Sequence, residues 1–466
     1  MNHPNILFIT SDQHRGDSLG CAGHPCVRTP HLDHLFHEGT CFDNAYVDCP
    51  LCIPARTTLL SGIHGHNFGC CNWNPGFRVD VARERLLGAQ LTQAGYQTEV
   101  VGKTHWQLDP SDRAGFEHVQ PLAALSRQIQ RETGRPGTNL TGVGLNELHP
   151  ALSQLPEHLQ SNDWIVDRCL DFLEDRQRDQ PFFLWASFHD PHPPFVTREP
   201  YYSMYRDAAI PEPVLPDWLD TDTCPKWLYE HSWTFNPGRM SPEEIRHARQ
   251  VYYGMITHID HQLGRLFGRL RNAGLWDDTV VVYTSDHGEQ LGDYHDTHKV
   301  SFYEGSARIP MLVRFPESFG FEVCRHHDAL VELADWYPTL LELAGCTVPD
   351  GLDGRSLLPL LDGSATSTRE FLHGQSAENH MFRTPTHKYL YFPDDGCEQV
   401  FAMDGDRRDD VLVDDAKLHE QLRGMLVDHL VAEDNPCLVN GNLVNRGQLK
   451  LDPDTCRSNN ALGWRG

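Results

Sequence analysis

Cysteine, proline and arginine stand at alternate positions in the run 51–62, LCIPARTTLLSG, as Cys52, Pro54 and Arg56. Pro54 suits a first helical turn, where a missing N–H costs nothing. A helix that starts here puts Cys52 at its N-terminus and Arg56 one turn on, on the same face. Unpaired backbone N–H groups and a guanidinium then surround one sulfur, which makes an anion site around a reactive side chain. The same residues also describe a buried structural thiol at a helix start, and a five-residue pattern with two wildcards does not choose between the two. The choice turns on what partners the rest of the chain supplies.

Partners follow a series of short apolar, β-leaning runs. The run 5–10 ends in Ser11-Asp12-Gln13, and the run 279–284 leads into Asp286-His287-Gly288-Glu289. Two strand-end carboxylates, an imidazole and a nearby amide oxygen make a mostly hard divalent site, suited to Ca²⁺, Mg²⁺ or Mn²⁺. After 97–101 comes Gly102-Lys103-Thr104-His105-Trp106, and after 182–188 comes His189-Asp190-Pro191-His192-Pro193-Pro194. Later, His298-Lys299 precedes Tyr303-Glu304-Gly305. Each residue alone is ordinary, since an Asp caps helices more often than it binds metal. Lysine or histidine after strand after strand, at one edge of a sheet, describes an oxyanion pocket.

The elements that must hold these groups are legible in the periodicity. A further apolar run, 309–315, joins the strands above, and helical patterns alternate with them. Trp164, Ile165, Cys169, Phe172 and Leu173 share one helical face. Ser241-Pro242-Glu243-Glu244 is a capping box with proline at the first helical position. Tyr252, Met255, Ile256, Ile259, Leu263, Leu266 and Leu270 then recur at helical spacing, and Gly274 closes the helix. The run 330–343 reads as another apolar helix, ended by Gly345. Alternating strands and helices predict an α/β fold, a large mainly parallel sheet sandwiched by helices, with ligands beyond the carboxyl ends of its strands. The stretches 120–160 and 190–240 lack clear periodicity and read as functional lids or binding loops. Beyond 364 the pattern changes: HKYLYFP at 387–393 reads as a strand and 414–431 as a helix. A catalytic domain over 1–364 and a smaller C-terminal α+β subdomain over 365–466, with a small antiparallel sheet, a helix and an irregular tail, are therefore expected.

Composition narrows the function. A net charge of −26 over 466 residues argues against nucleic acid or an anionic membrane surface as partner. An anionic substrate must then be held by a local positive site within a negative field. The N-terminal MNHPNILFITSDQHRGD has no basic segment followed by a long apolar one, so neither a signal peptide nor a membrane span is expected. Fourteen cysteines in such a chain read as free thiols, and the expected location is cytoplasmic. Nothing in the sequence sets an oligomeric state.

Taken together these motifs resemble the type I, formylglycine-dependent sulfatases of the alkaline phosphatase superfamily. LCIPARTTLLSG resembles their maturation signature, Cys-x-Pro-x-Arg followed by Thr/Ser-Gly. The stretch 5–20 resembles the opening strand and metal loop, 102–106 the Gly-Lys-x-His motif, 284–289 the second metal loop, and 299–305 the Lys-x-x-x-Tyr-Glu-Gly segment. The matches keep the family's order over about three-quarters of the chain. The resemblance implies that a formylglycine-generating or radical maturation enzyme oxidises Cys52 to Cα-formylglycine, whose hydrate attacks sulfur in line. Elimination then returns the aldehyde and frees sulfate. Asp12, Asp286, His287 and the modified Cys52 hold the metal, with calcium first and Mn²⁺ or Mg²⁺ as the alternatives. Arg56 stabilises the hydrate, Lys103 and Lys299 grip the sulfate, and His105 is the base for elimination. His192, rather than His189, protonates or steadies the leaving oxygen.

Two positions depart from the commonest family pattern. Ser11 stands where many relatives carry the first of two consecutive aspartates, and His287 where many carry asparagine, so that Gln13 is expected to supply an oxygen ligand instead. These variants also resemble the phosphonate monoester hydrolase branch of the superfamily. The expected function is hydrolysis of an organic sulfate monoester, with a phosphonate monoester or phosphodiester as the alternative. Trp73, Asn74, Trp106 and the 190–240 loop suit stacking on a sugar ring, which makes a small sulfated carbohydrate the expected substrate.

Overall fold

The computed structural model describes residues 3–72, 77–106, 108, 112–137, 139–235, 240–403, 409 and 411–446. Eight strands form the main sheet: β1 (Asn5–Asp12), β2 (Thr40–Tyr46), β3 (Gln97–Gly102), β4 (His118–Pro121), β5 (Phe182–Pro191), β6 (Thr279–Ser285), β7 (Met311–Arg314) and β8 (His326–Glu332). Their order is β8-β2-β7-β6-β1-β5-β3-β4. Every pairing is parallel except the two made by β7. β1 is central, with Leu7 opposite Leu184 on β5 and Val281 on β6. The longer helices are α1 (Pro30–His37), α2 (Cys52–Ser61), α3 (Leu87–Gln93), α4 (Leu122–Thr133), α5 (Ser161–Asp175), α6 (Lys226–Phe235), α7 (Pro242–Asn272), α8 (Trp336–Leu343) and α9 (Ala416–Ala432).

Alternate residues of a strand face opposite sides, so a strand covered on both faces is apolar throughout. Ile6 and Phe8 pack with α2, α3 and α8 through Leu59, Leu91 and Leu340. Leu7 and Ile9 pack with α1, α5 and α7 through Leu35, Ile165 and Leu263. This two-sided burial fixes the register of β1 and so the point where its polar residues emerge. α7 begins as expected: Ser241 and Glu244 complete the capping box, and Gly274, at φ 68°, follows its end.

Beyond the main sheet, β9 (Leu372–Ser376), β10 (Asn379–Arg383), β11 (His387–Phe392) and β12 (Cys397–Ala402) form a four-stranded antiparallel sheet. α9 covers it with Leu422, Leu426 and Leu430. Among the described residues no helix is long and apolar enough to cross a membrane. The described cysteines are all free thiols.

Three expectations need correction. The run 330–343 is not one helix: Leu330–Glu332 finish β8, paired with Asn44, Ala45 and Tyr46, and the helix starts only at Trp336. A short apolar run fits a buried strand or a buried helix equally, and here a reciprocal cap between Glu332 and Asp335 divides the two. The stretch 120–160 contains α4, whose Leu125 and Ile129 are buried. The 190–240 stretch is not a free lid, because Phe195, Tyr205 and Ile210 pack against Val251, Tyr252 and Met255 of α7. The part of the expected irregular tail beyond 446 lies outside the described residues.

Candidate active site

α2 opens at Cys52, behind an extended Leu51 (φ −143°, ψ 138°), and closes on Gly62, whose left-handed φ of 70° lets its N–H donate to Thr58 O at 2.8 Å. Every residue of the helix is buried. Cys52 therefore occupies the first helical position at the carboxyl edge of the sheet, where the partial positive charge of the helix is greatest. Its Sγ lies 3.2 Å from His287 Nε2, and 3.8 Å from both Asp12 Oδ1 and Lys103 Nζ. Burial pushes the thiol up, ahead of the opposing pull of Lys299, which disfavours a thiolate at neutral pH.

One turn on, Arg56 is wholly buried. Its Nε donates to Asp286 Oδ2 at 2.7 Å, and its Nη1 to Ser187 Oγ at 2.8 Å and Lys103 O at 3.1 Å. Nη2 is buried with no hydrogen-bond partner. One guanidinium thus ties the nucleophile helix to the ends of β3, β5 and β6. Asp286 Oδ1 accepts from the backbone N–H of Gln13 at 3.1 Å and of His287 at 2.9 Å. Burial opposes its charge, but Arg56, His287 and Lys103 together hold the carboxyl well below the usual carboxylate range.

Asp12, Cys52, Asp286 and His287 bring one donor atom each within 4.8 Å of one another. His287 Nδ1 donates to Gly288 O at 3.0 Å, which leaves Nε2 bare toward Cys52 and the carboxylates. Two carboxylates and a neutral imidazole fit a divalent cation. Gln13, at a left-handed φ of 69°, joins the same loop, but its Oε1 accepts from Lys299 Nζ at 2.5 Å and its Nε2 donates to Glu289. In this arrangement the amide is oriented toward Lys299.

Lys103 follows Gly102, at φ 112°, and touches Asp12. Burial lowers its ammonium to about 7, while the Asp12 and Asp286 carboxylates favour the charge. A Cβ on Gly102 would lie inside the Ser187 carbonyl, and it is to this carbonyl that Lys103 N donates at 2.9 Å. Gly102→Ala should therefore move the lysine. We expect stability to fall by on the order of 1–3 kcal/mol and kcat/KM by roughly 10²-fold, read by thermal melting and steady-state kinetics. Gly288 serves a similar close approach, its N–H donating to Ser306 O at 2.7 Å and a Cβ there striking Gly305 O. Lys299 lies between His298 and Val300, at φ 71° and 86°, a conformation that a β-branched residue resists.

His192 Nδ1 donates to Pro193 O at 2.5 Å, so its Nε2 is an acceptor and takes a hydrogen bond from Lys299 Nζ at 2.8 Å. Burial, then the Lys299 and Lys103 charges, hold its imidazole neutral. The proton on this pair accordingly resides on Lys299. The His189 ring is 4.9 Å from His192. His105, at φ 51°, presents open surface at the rim. Crowding by the cleft and then the Lys103 and Arg56 charges keep it unprotonated.

All the residues singled out in the sequence thus lie in or beside one cluster, apart from the suggested sugar platform. Trp106 stacks on Phe116 at 5.5 Å and leans on Trp185, so it is part of the wall. Trp73 and Asn74 lie outside the described residues. Three supporting residues escaped sequence reading. Ser187 bridges Arg56 and Lys103 O. Tyr252 donates to Gln13 O at 2.7 Å and accepts from Arg15 N. Glu289 accepts from Leu291 N at 3.0 Å and holds Gln13, with burial pushing its carboxyl up to about 7. Position after a strand was the available signal for Ser187, whereas Tyr252 reads as core on its helical face.

A sulfatase family model matches residues 4–346. An arylsulfatase of Clostridium perfringens is 31% identical over 443 residues, covering 87% of this chain and 89% of its own. A multifunctional alkaline phosphatase superfamily protein, PehA of Trinickia caryophylli, is 30% identical over 441 residues, with 85% of each chain covered. Among solved structures, the phosphonate monoester hydrolase of Agrobacterium radiobacter superposes with a TM-score of 0.78 at 25% identity, covering 92% of this chain and 95% of its own.

Proposed function

The chain belongs to the sulfatase family and is a sulfuric ester hydrolase; from that premise we propose that it hydrolyses sulfate monoesters of small carbohydrates, using Cα-formylglycine made from Cys52 beside a bound calcium ion. The observation that carries this reading is the burial of Cys52 at a helix start, in contact with His287, Asp12 and Lys103 together. Asp12, Asp286, His287 and the modified residue 52 would hold the cation. Gln13 would join them only by turning its oxygen away from Lys299. The cation supplies Lewis-acid polarisation of the sulfate oxygens. The formylglycine hydrate supplies the oxygen that attacks sulfur.

The remaining work falls to side chains of this chain. Lys103 and Lys299 neutralise the sulfuryl oxygens from opposite sides of residue 52, and cations fixed in place beforehand stabilise such a transition state more than any other device. Arg56 fixes Asp286 and keeps one buried N–H free. The neutral His105 ring takes up a proton, and Lys299, steadied by His192 Nε2, faces the leaving oxygen. The polar rim at Thr104 and His105 suits an alcohol rich in hydroxyl groups. A maturation enzyme acting on Cys52 and a cytoplasmic location belong to the same proposal, the latter supported by the free thiols.

A second reading, hydrolysis of phosphonate monoesters or phosphodiesters by the same groups, is favoured by the Ser11-Asp12 and Asp286-His287 pairs and by the Agrobacterium likeness. Purified enzyme assayed on paired aryl sulfate and aryl phosphonate substrates separates the two. The proposal expects the larger kcat/KM on the sulfate. A large phosphonate preference overturns it, and sulfate release from a panel of sulfated mono- and disaccharides tests the sugar.

A further inference from the structure

Far along the chain from the catalytic cluster, five histidines and a glutamate converge where the loop after α2 meets the C-terminal sheet. His64 and His66 lie beyond Gly62, His373 and His380 lie on β9 and β10, His429 is on the last turn of α9, and Glu433 caps that helix. His66 Nε2 is 3.4 Å and His373 Nδ1 3.7 Å from the same oxygen, Glu433 Oε2. One donor atom from each of these three lies within 4.8 Å of the other two. His429 Nε2 flanks the other carboxylate oxygen at 3.2 Å.

Such a group is costly to leave as it stands. Both His66 nitrogens, His373 Nδ1, His429 Nε2 and Glu433 Oε2 are buried without a hydrogen-bond partner, and buried polar atoms are rarely left so. Glu433 also places a negative charge at the C-terminal end of a helix, where the helix dipole repels it and only a cation makes the position favourable. Burial, then the neighbouring imidazoles, keep His373 neutral, the form in which histidine binds metal. His373 Nε2 meets His380 Nδ1 at 3.2 Å, and in the tautomer that donates to His380 the Nδ1 lone pair is bare and aimed at Glu433.

We propose that His66, His373 and Glu433 form a second metal site that takes Zn²⁺, with water in the fourth position. Two imidazoles and one carboxylate are a borderline nitrogen and oxygen set, unlike the oxygen-rich catalytic cluster, and select zinc over calcium. Tetrahedral zinc with bonds of about 2.0–2.1 Å sets neighbouring ligand atoms about 3.3–3.4 Å apart, close to the separations found. Glu433 keeps 21% of its side chain exposed, which gives the ion an entry path. The ion clamps the loop leaving the nucleophile helix to β9 and to α9, three segments far apart in sequence.

The test uses full-length enzyme stripped with a chelator and reloaded with zinc or cobalt. Wild type should take up one more equivalent of zinc than Glu433→Gln, melt at a higher temperature with zinc, and give the visible spectrum of four-coordinate Co²⁺. Glu433→Gln removes the anionic ligand at nearly constant volume. It should melt no lower than metal-free wild type, because it relieves the helix terminus, yet gain nothing from zinc. His373→Ala provides a second check on stoichiometry, and if it fails to fold the glutamine variant decides alone. Equal zinc content in wild type and Glu433→Gln, or a cobalt spectrum unchanged by the substitution, overturns the proposal. Calcium content and sulfatase activity are separate readouts, so this site and the catalytic reading fail independently.

Discussion

Cys52→Ala is expected to abolish turnover while leaving the protein folded. The side chain loses only its sulfur, in a helix whose other residues are fully packed, so the stability loss should be about 1 kcal/mol. The reaction, by contrast, loses its only route to a formylglycine nucleophile. Lys103, Lys299 and Arg56 would still form an anion site, so the variant should bind substrate and sulfate without releasing product. Activity, a melting curve and substrate binding measured on one preparation check all three points. Near-wild-type activity in Cys52→Ala would refute the assignment of the nucleophile.

Arg56→Gln should produce the next largest effect, and on two quantities at once. The guanidinium is the buried partner of Asp286, and removing one member of such a pair destabilises by roughly 3–5 kcal/mol because the other charge is left uncompensated. The same group holds Ser187 and the Lys103 carbonyl, so the lysine loses its anchor. A fall of roughly 10²–10³-fold in kcat is expected, in line with the removal of one preorganised donor. Assays well below the variant's melting temperature separate the two effects. A folded Arg56→Gln enzyme with unchanged kcat would show that the arginine serves stability alone. Arg56→Lys should recover charge but not the three-way tie, since an ammonium lacks the planar fork.

Much of the site was legible because its groups follow the strands of a sheet buried on both faces. An apolar run such as Ile6–Ile9 ends where the chain must become polar, and Asp12, Lys103, His192 and Asp286 all stand at such ends. The long helix was equally clear, since its cap and its apolar stripe agree. β2 was missed because its sequence TCFDNAY mixes polar residues into a strand that is almost wholly buried; Asn44 satisfies its amide by donating to Asp328 O at 2.7 Å. β8 was merged with the helix after it because both are apolar. Trp106 was read as a platform where it is a wall, since a side chain's neighbours are set by packing across distant segments. His66, His373 and Glu433 illustrate the same limit, for they meet only through the docking of the C-terminal sheet and helix.

The mechanism requires that residue 52 not be cysteine in the working enzyme. Mass spectrometry of the proteolytic peptide carrying that position, taken from an active preparation, tests this directly. A formylglycine nucleophile predicts a peptide in which the thiol carbon has become an aldehyde, sulfur and two hydrogens having been exchanged for one oxygen. Unmodified cysteine throughout a fully active preparation would contradict it.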